Sequence, residues 1–136
     1  MTFETAVAVR YDDIDSYGHV NNARYGTYLE EARIDYLTEV VGGDTSVLDA
    51  DGDTGILIKT LEIEYERPVA GTDHVTVAVE IPDLGTTSFP IEYVVRDGER
   101  TAATAATTVV TVDRATGEPR PIPDDWRGAI TEFESS

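Results

Sequence analysis

Five residues that can do chemistry crowd into one short stretch, Asp15-x-x-Gly18-His19-x-Asn21-Asn22. A carboxylate can take a proton from water or attack an acyl carbon itself. Asn21 and Asn22 stand where an apolar-periodic segment begins, and asparagine is among the best helix N-caps. The free N–H groups and positive pole at such an end suit an oxyanion or a carbonyl oxygen. Gly18 permits a tight turn or the close approach of a substrate, and His19 can donate or accept a hydrogen bond nearby. A base or nucleophile beside a pocket for developing negative charge is what acyl transfer needs. The same residues also read as a helix cap in which the aspartates only complement the dipole.

Other chemistries find less support. The chain has no cysteine, hence neither a disulfide framework nor a thiolate metal site. It has no Gly-x-Ser-x-Gly and no second histidine near a serine, which leaves a serine triad without support. His74, beside Asp73 at a strand start, is badly placed for the acid–base work of a hydratase or dehydratase. Asp49, Asp51 and Asp53 hint at a calcium loop, but the glycine is misplaced and no glutamate closes it. No metal site and no cofactor are expected.

The elements that must hold these residues follow from periodicity. Residues 3–11 alternate apolar and polar, a strand. Tyr25, Tyr28, Leu29, Ala32, Tyr36, Leu37 and Val40 form a helical stripe, which predicts a helix from Asn22 to Val41 ended by Gly42-Gly43. A loop follows, with a turn of helix around 46–49. Four more strands come next: "GILIKTLEIEYERPV", "DHVTVAVEIPDL", "TTSFPIEYVVRD" and "RTAATAATTVVTVD". Asp97-Gly98 marks a hairpin between the last two, and Pro123 opens a short helix with Trp126 packed on the body. The fold class is therefore α+β, residues 1–136 forming a single domain. One helix covers only one face of such a sheet, and the exposed edge and remaining apolar surface suit pairing with a second copy.

Composition narrows the setting. There are 27 Asp and Glu against 10 Lys and Arg, a formal charge of −17, yet 40% of residues are hydrophobic. Such a chain is acidic but patterned, unlike a disordered one. Excess carboxylates over a single lysine, Lys59, suit a high-salt cytoplasm; the competing reading is an acidic surface for a basic partner. No basic stripe exists to neutralise phosphates, so nucleic acid is not an expected partner. The N-terminus lacks signal-peptide features and no apolar run reaches membrane-spanning length, so a cytoplasmic protein without a membrane partner is expected.

The run Asp13-x-Asp15-x-x-Gly18-His19-Val20-Asn21-Asn22-x-x-Tyr25-x-x-Tyr28-x-Glu30-x-Ala32-Arg33 resembles the signature of hotdog-fold acyl-CoA thioesterases of the 4-hydroxybenzoyl-CoA thioesterase type. It is also similar to bacterial long-chain acyl-CoA thioesterases and plant acyl-carrier-protein thioesterases, which share "HVNN". The resemblance implies a five-stranded antiparallel sheet wrapped around one long central helix, and protomers paired edge to edge. A homodimer at least is expected, with a homotetramer open. It implies hydrolysis of an aliphatic or aryl acyl-CoA to the free acid and CoA. Asp15 matches the catalytic carboxylate, as nucleophile or as base for water, and the N–H of Asn22 matches the group that polarises the carbonyl. His19 and Asn21 line the mouth, while Tyr25 and Glu30 face the acyl pocket or a dimer neighbour; Glu31 is a weaker catalytic candidate. The segment "PDLGTTSFP" lacks the basic residues that hold CoA phosphates in relatives, leaving Gly85, Thr86, Thr87 and Ser88 as donors, with Lys59, Arg67 and Arg96 as nearby cations. A non-catalytic acyl-CoA-binding or sensing module and an acyl-carrier-protein thioesterase are the alternatives.

Overall fold

The computed structural model describes residues 2–42 and 53–136. The expected helical turn at 46–49, and with it Asp49 and Asp51, lie outside them. Strands β1 (Phe3–Ala8), β2 (Thr54–Tyr65), β3 (His74–Glu80), β4 (Ser88–Asp97) and β5 (Arg100–Asp113) form one antiparallel sheet in the order β1-β3-β4-β5-β2. Helix α1 (Tyr25–Val40) lies on its inner face, and α2 (Asp124–Ser135) closes the chain. The hotdog arrangement expected from the sequence is the one found.

The helical stripe explains the core. Tyr25, Tyr28, Leu29, Ala32, Tyr36 and Leu37 are buried, and they meet Val75, Val77 and Val79 of β3 and Phe89, Ile91, Tyr93 and Val95 of β4. Alternation puts every second strand residue on this face. α1 packs mainly against β1 and β3. The inner face of one edge strand, β2, is left largely uncovered, with Ile58, Leu61 and Tyr65 exposed. A free edge strand with exposed apolar side chains invites pairing.

Three local outcomes differ from the periodicity. β1 stops at Ala8 rather than near residue 11, because the Arg10 N–H donates to Asp13 Oδ2 (2.8 Å) and the chain turns into a 3-10 turn at Tyr11–Asp13. β2 carries a bulge: Ile58 pairs with Val109 and Thr60 with Thr108, leaving Lys59 as an extra residue. The closing helix is longer than the short one expected. It buries Trp126 and Ile130, and Phe133 stands edge-on to Tyr36 at 5.6 Å and to Phe3 at 6.4 Å.

α2 is also fastened by one carboxylate. Glu134 accepts from the Tyr36 hydroxyl and from the Ile81 N–H (3.2 Å), tying α2 to α1 and to the end of β3. Burial, and then the neighbouring Glu134, push the Tyr36 hydroxyl above its usual pKa. Tyr36→Phe keeps the ring but removes the donor. It is expected to lower unfolding stability by about 1–2 kcal/mol in urea denaturation.

Candidate active site

The loop ahead of α1 is a miniature hairpin. Ile14 and Val20 form an isolated bridge, the Asp15 N–H donates to the His19 carbonyl (2.8 Å), and the Asn21 N–H donates to the Asp13 carbonyl (2.8 Å). This register sets Asp15 opposite His19 and Asp13 opposite Asn21. Gly18 closes the turn at φ +82°, a conformation that only glycine adopts freely. Because a Cβ there would meet nothing within 4 Å, the constraint is the backbone and not space. The Val20 N–H donates to the Val69 carbonyl (2.8 Å), anchoring the hairpin to the chain leaving β2.

Asp15 is held by one oxygen. Its Oδ1 accepts from the N–H groups of Tyr17 (2.9 Å) and His19 (3.2 Å), fixing the carboxylate while Oδ2 makes no bond among the described residues. The side chain is partly exposed, as a group that meets substrate must be.

The helix entrance is a 3-10 turn, Asn22–Arg24, leading into α1. Asn21 caps it: the side-chain oxygen accepts from the Ala23 N–H at 2.8 Å. The Arg24 N–H goes to the Asn21 carbonyl (2.9 Å). The Asn22 N–H has no acceptor among the described residues, and at this terminus it points with the positive pole of the helix. Tyr65, at the end of β2, donates its hydroxyl to the Asn22 carbonyl (2.9 Å) and so fixes this turn from the sheet side.

The structure adds a residue whose role the spacing did not reveal. Asp13, 4% exposed, accepts at Oδ2 from the Tyr28 hydroxyl (2.8 Å) and the Arg10 N–H (2.8 Å), with Arg24 Nε 3.6 Å from Oδ1. Burial first, and then this contact, raise the Tyr28 pKa. Of two aspartates of the same type, one is a structural anchor and the other faces the open.

The remaining candidates divide between two ends of the sheet. Arg67 follows β2 close to the helix entrance and lines a small cavity with Asp97 and Arg100. Tyr25 is core, 2% exposed, its ring edge-on to Tyr65 at 5.0 Å; burial, then Tyr65 and Asp97, raise its pKa. Glu30 is exposed on α1, and Glu31 is half-buried and pairs with Arg10 at 3.4 Å. Gly85, Thr86, Thr87 and Ser88 lie at the other end. Ser88 pairs with Val110, whereas Tyr65 pairs with Ala103, a separation of about 23 Å along β5 at ~3.3 Å per residue. One protomer does not bring them to Asp15. Their backbone is also engaged: the Gly85 N–H donates to the Ser88 carbonyl (2.8 Å), and Thr87 and Thr86 carbonyls accept from Thr111 and Ile122. Arg127 of α2 donates to the Gly85 carbonyl (2.6 Å), placing beside this loop a cation that sequence distance concealed. A surface depression of about 720 Å³ lies elsewhere, on the sheet's outer face between Glu62, Glu64, Glu80 and Glu92. It holds none of the hairpin's residues. Among the described residues no helix is long and apolar enough to cross a membrane.

Comparison with known proteins identifies the class to which a chain of this fold belongs. The profile of the Thioesterase-like superfamily matches residues 9–130, and the chain belongs to that family. The long-chain acyl-CoA thioesterase FadM of Escherichia coli is 31% identical over 116 residues, 83% of this chain and 85% of FadM. The thioesterase of Thermus thermophilus solved with coenzyme A and zinc is 31% identical at a TM-score of 0.81, over 98% of this chain and 95% of that one. The PA5185 protein of Pseudomonas aeruginosa is 30% identical at a TM-score of 0.85, over 98% and 92% respectively.

Asn21→Ala removes the acceptor of the Ala23 N–H. It is expected to cost about 1 kcal/mol of stability by thermal melting.

Proposed function

We propose that the protein hydrolyses acyl-CoA thioesters at the hairpin–helix junction, with Asp15 as the catalytic carboxylate and the Asn22 N–H as the oxyanion donor. The observation that carries this reading is the pairing of a carboxylate held by two N–H groups with an unengaged amide at the helix entrance. In the water route, Asp15 takes a proton as hydroxide adds to the thioester carbon. The carbonyl oxygen becomes an oxyanion at the Asn22 N–H, the C–S bond breaks, and the proton passes to the leaving thiolate. In the nucleophilic route, Asp15 adds to the thioester carbon and the C–S bond breaks to give a mixed anhydride and a thiolate; water then opens the anhydride, restoring the Asp15 carboxylate and supplying the thiolate's proton. Both give free acid and CoA. The relatives named as acyl-CoA thioesterases, and the Thermus structure with coenzyme A, support CoA as the carrier. His19, opposite Asp15, is assigned to orienting water at the mouth.

The site is complete in a two-fold dimer formed along β2. Antiparallel pairing of two β2 edges sets the Tyr65 end of one strand against the Thr54 end of the other. The partner's copies of Gly85 to Ser88 then approach the first protomer's hairpin, while Arg67 stays beside it. Leu57, Ile58 and Leu61, exposed in the protomer, are covered.

Two outcomes test this reading. Asp15→Asn retains an oxygen for the two N–H donors, so the fold is expected to persist by circular dichroism while kcat falls by roughly three or more orders of magnitude; turnover near the parent's would remove Asp15 from the mechanism. Leu61→Glu is expected to yield a monomer in sedimentation at high salt, and to lose activity with it.

A further inference from the structure

Arg33 is a buried charged side chain that the proposed reaction does not use. It sits two turns along α1 from Gly26, about 10 Å at ~1.5 Å per residue, and is 7% exposed. Its one hydrogen bond runs from Nη1 to the Tyr93 hydroxyl (3.1 Å), which in turn meets Thr107 Oγ1 at 2.9 Å. No carboxylate lies within ion-pair distance of it among the described residues. A guanidinium has five N–H donors and no acceptor, and Tyr and Thr add one hydroxyl proton each. Whichever hydroxyl donates to the other, the cluster keeps more donors than acceptors.

Its open side can be located. Among the described residues no fully buried side-chain nitrogen lacks a partner, so the nitrogens of Arg33 that make no bond retain accessible surface. α1 packs on β1 and β3, and its free flank therefore looks toward β2. Thr107 pairs directly with Leu61 of β2, and a Cβ built on Gly26 would stand 3.9 Å from Leu61. Gly26 lies in the first turn of α1, just past the Asn22 amide. An acyl chain whose carbonyl sits at that amide and which follows this flank over Leu61 meets Arg33 at its far end.

We propose that Arg33 and Thr107, at the far end of that path, bind an anion, and that the preferred substrates are ω-carboxyacyl thioesters whose distal carboxylate they hold. The inference rests on the thioesterase reading and names its substrate class. A buried guanidinium without a counter-ion is costly, and a carboxylate relieves it with strong charge-assisted bonds. A methyl-terminated chain of equal length leaves those donors unmet.

The test compares suberyl-CoA with octanoyl-CoA, equal in length, on the full chain in high salt. The expected result is a preference for suberyl-CoA of about tenfold or more in kcat/KM, expressed mainly in KM. Arg33→Met is expected to reverse the preference and Arg33→Lys to keep its direction, with melting curves checking that each variant is folded. Calorimetric binding of free suberate over octanoate reads the site without turnover. Suberate binding without hydrolysis of either thioester would sink the thioesterase reading and keep the anion site. Equal handling of the two thioesters, or no preference for suberate, would overturn the inference and mean that the protein itself, for example a second copy, supplies the counter-ion.

Discussion

The arrangement of the site depends on one buried carboxylate. Asp13 takes the Tyr28 hydroxyl from α1, the Arg10 N–H from the chain leaving β1, and the Arg24 guanidinium from the helix entrance. Each alone is a modest contact, but an ionised carboxylate removed from water must be met by donors or it costs several kcal/mol. The three segments are therefore not independently free to shift. The hairpin carrying Asp15 is closed between two of them, and its ordering cost is met in folding rather than at substrate binding.

A second constraint acts at larger scale. α1 is too narrow to cover five strands, and β2 is the strand that goes without. The same shortfall leaves Ile58, Leu61 and Tyr65 of that strand exposed. It also accounts for the division of the candidate residues between opposite ends of the sheet. A two-fold axis is the simplest operation that exchanges those ends.

Much of this was legible in the residues, and the failures have physical causes. The α1 stripe, the Asp97-Gly98 hairpin and the asparagine cap were readable because periodicity and local hydrogen bonding are short-range properties of the chain. Asp13 and Asp15 were not separable in that way. They have the same side chain two positions apart, and only the approach of Tyr28 decides which is buried. Tyr25 lay on the stripe, yet its place in the core depends on Tyr65, forty residues on. Arg127 stands beside Gly85 only because α2 folds back across the sheet end. Contacts of that kind come from topology, which no window of sequence contains.

The bulge at Lys59 is a phase shift. Before it, Ile56 and Ile58 point inward; after it, Leu61, Ile63 and Tyr65 do, while Glu62 and Glu64 face out. If the same residues ran in a regular ladder with Lys59 taking a position of its own, Glu62 and Glu64 would fall on the inner face and Tyr65 would swing away from the Asn22 carbonyl. The helix entrance is thus set in part by a residue that does not touch it. Comparing this strand with a relative's therefore means counting from whichever side of Lys59 is of interest, since a gap placed on the wrong side exchanges lining for surface along half its length.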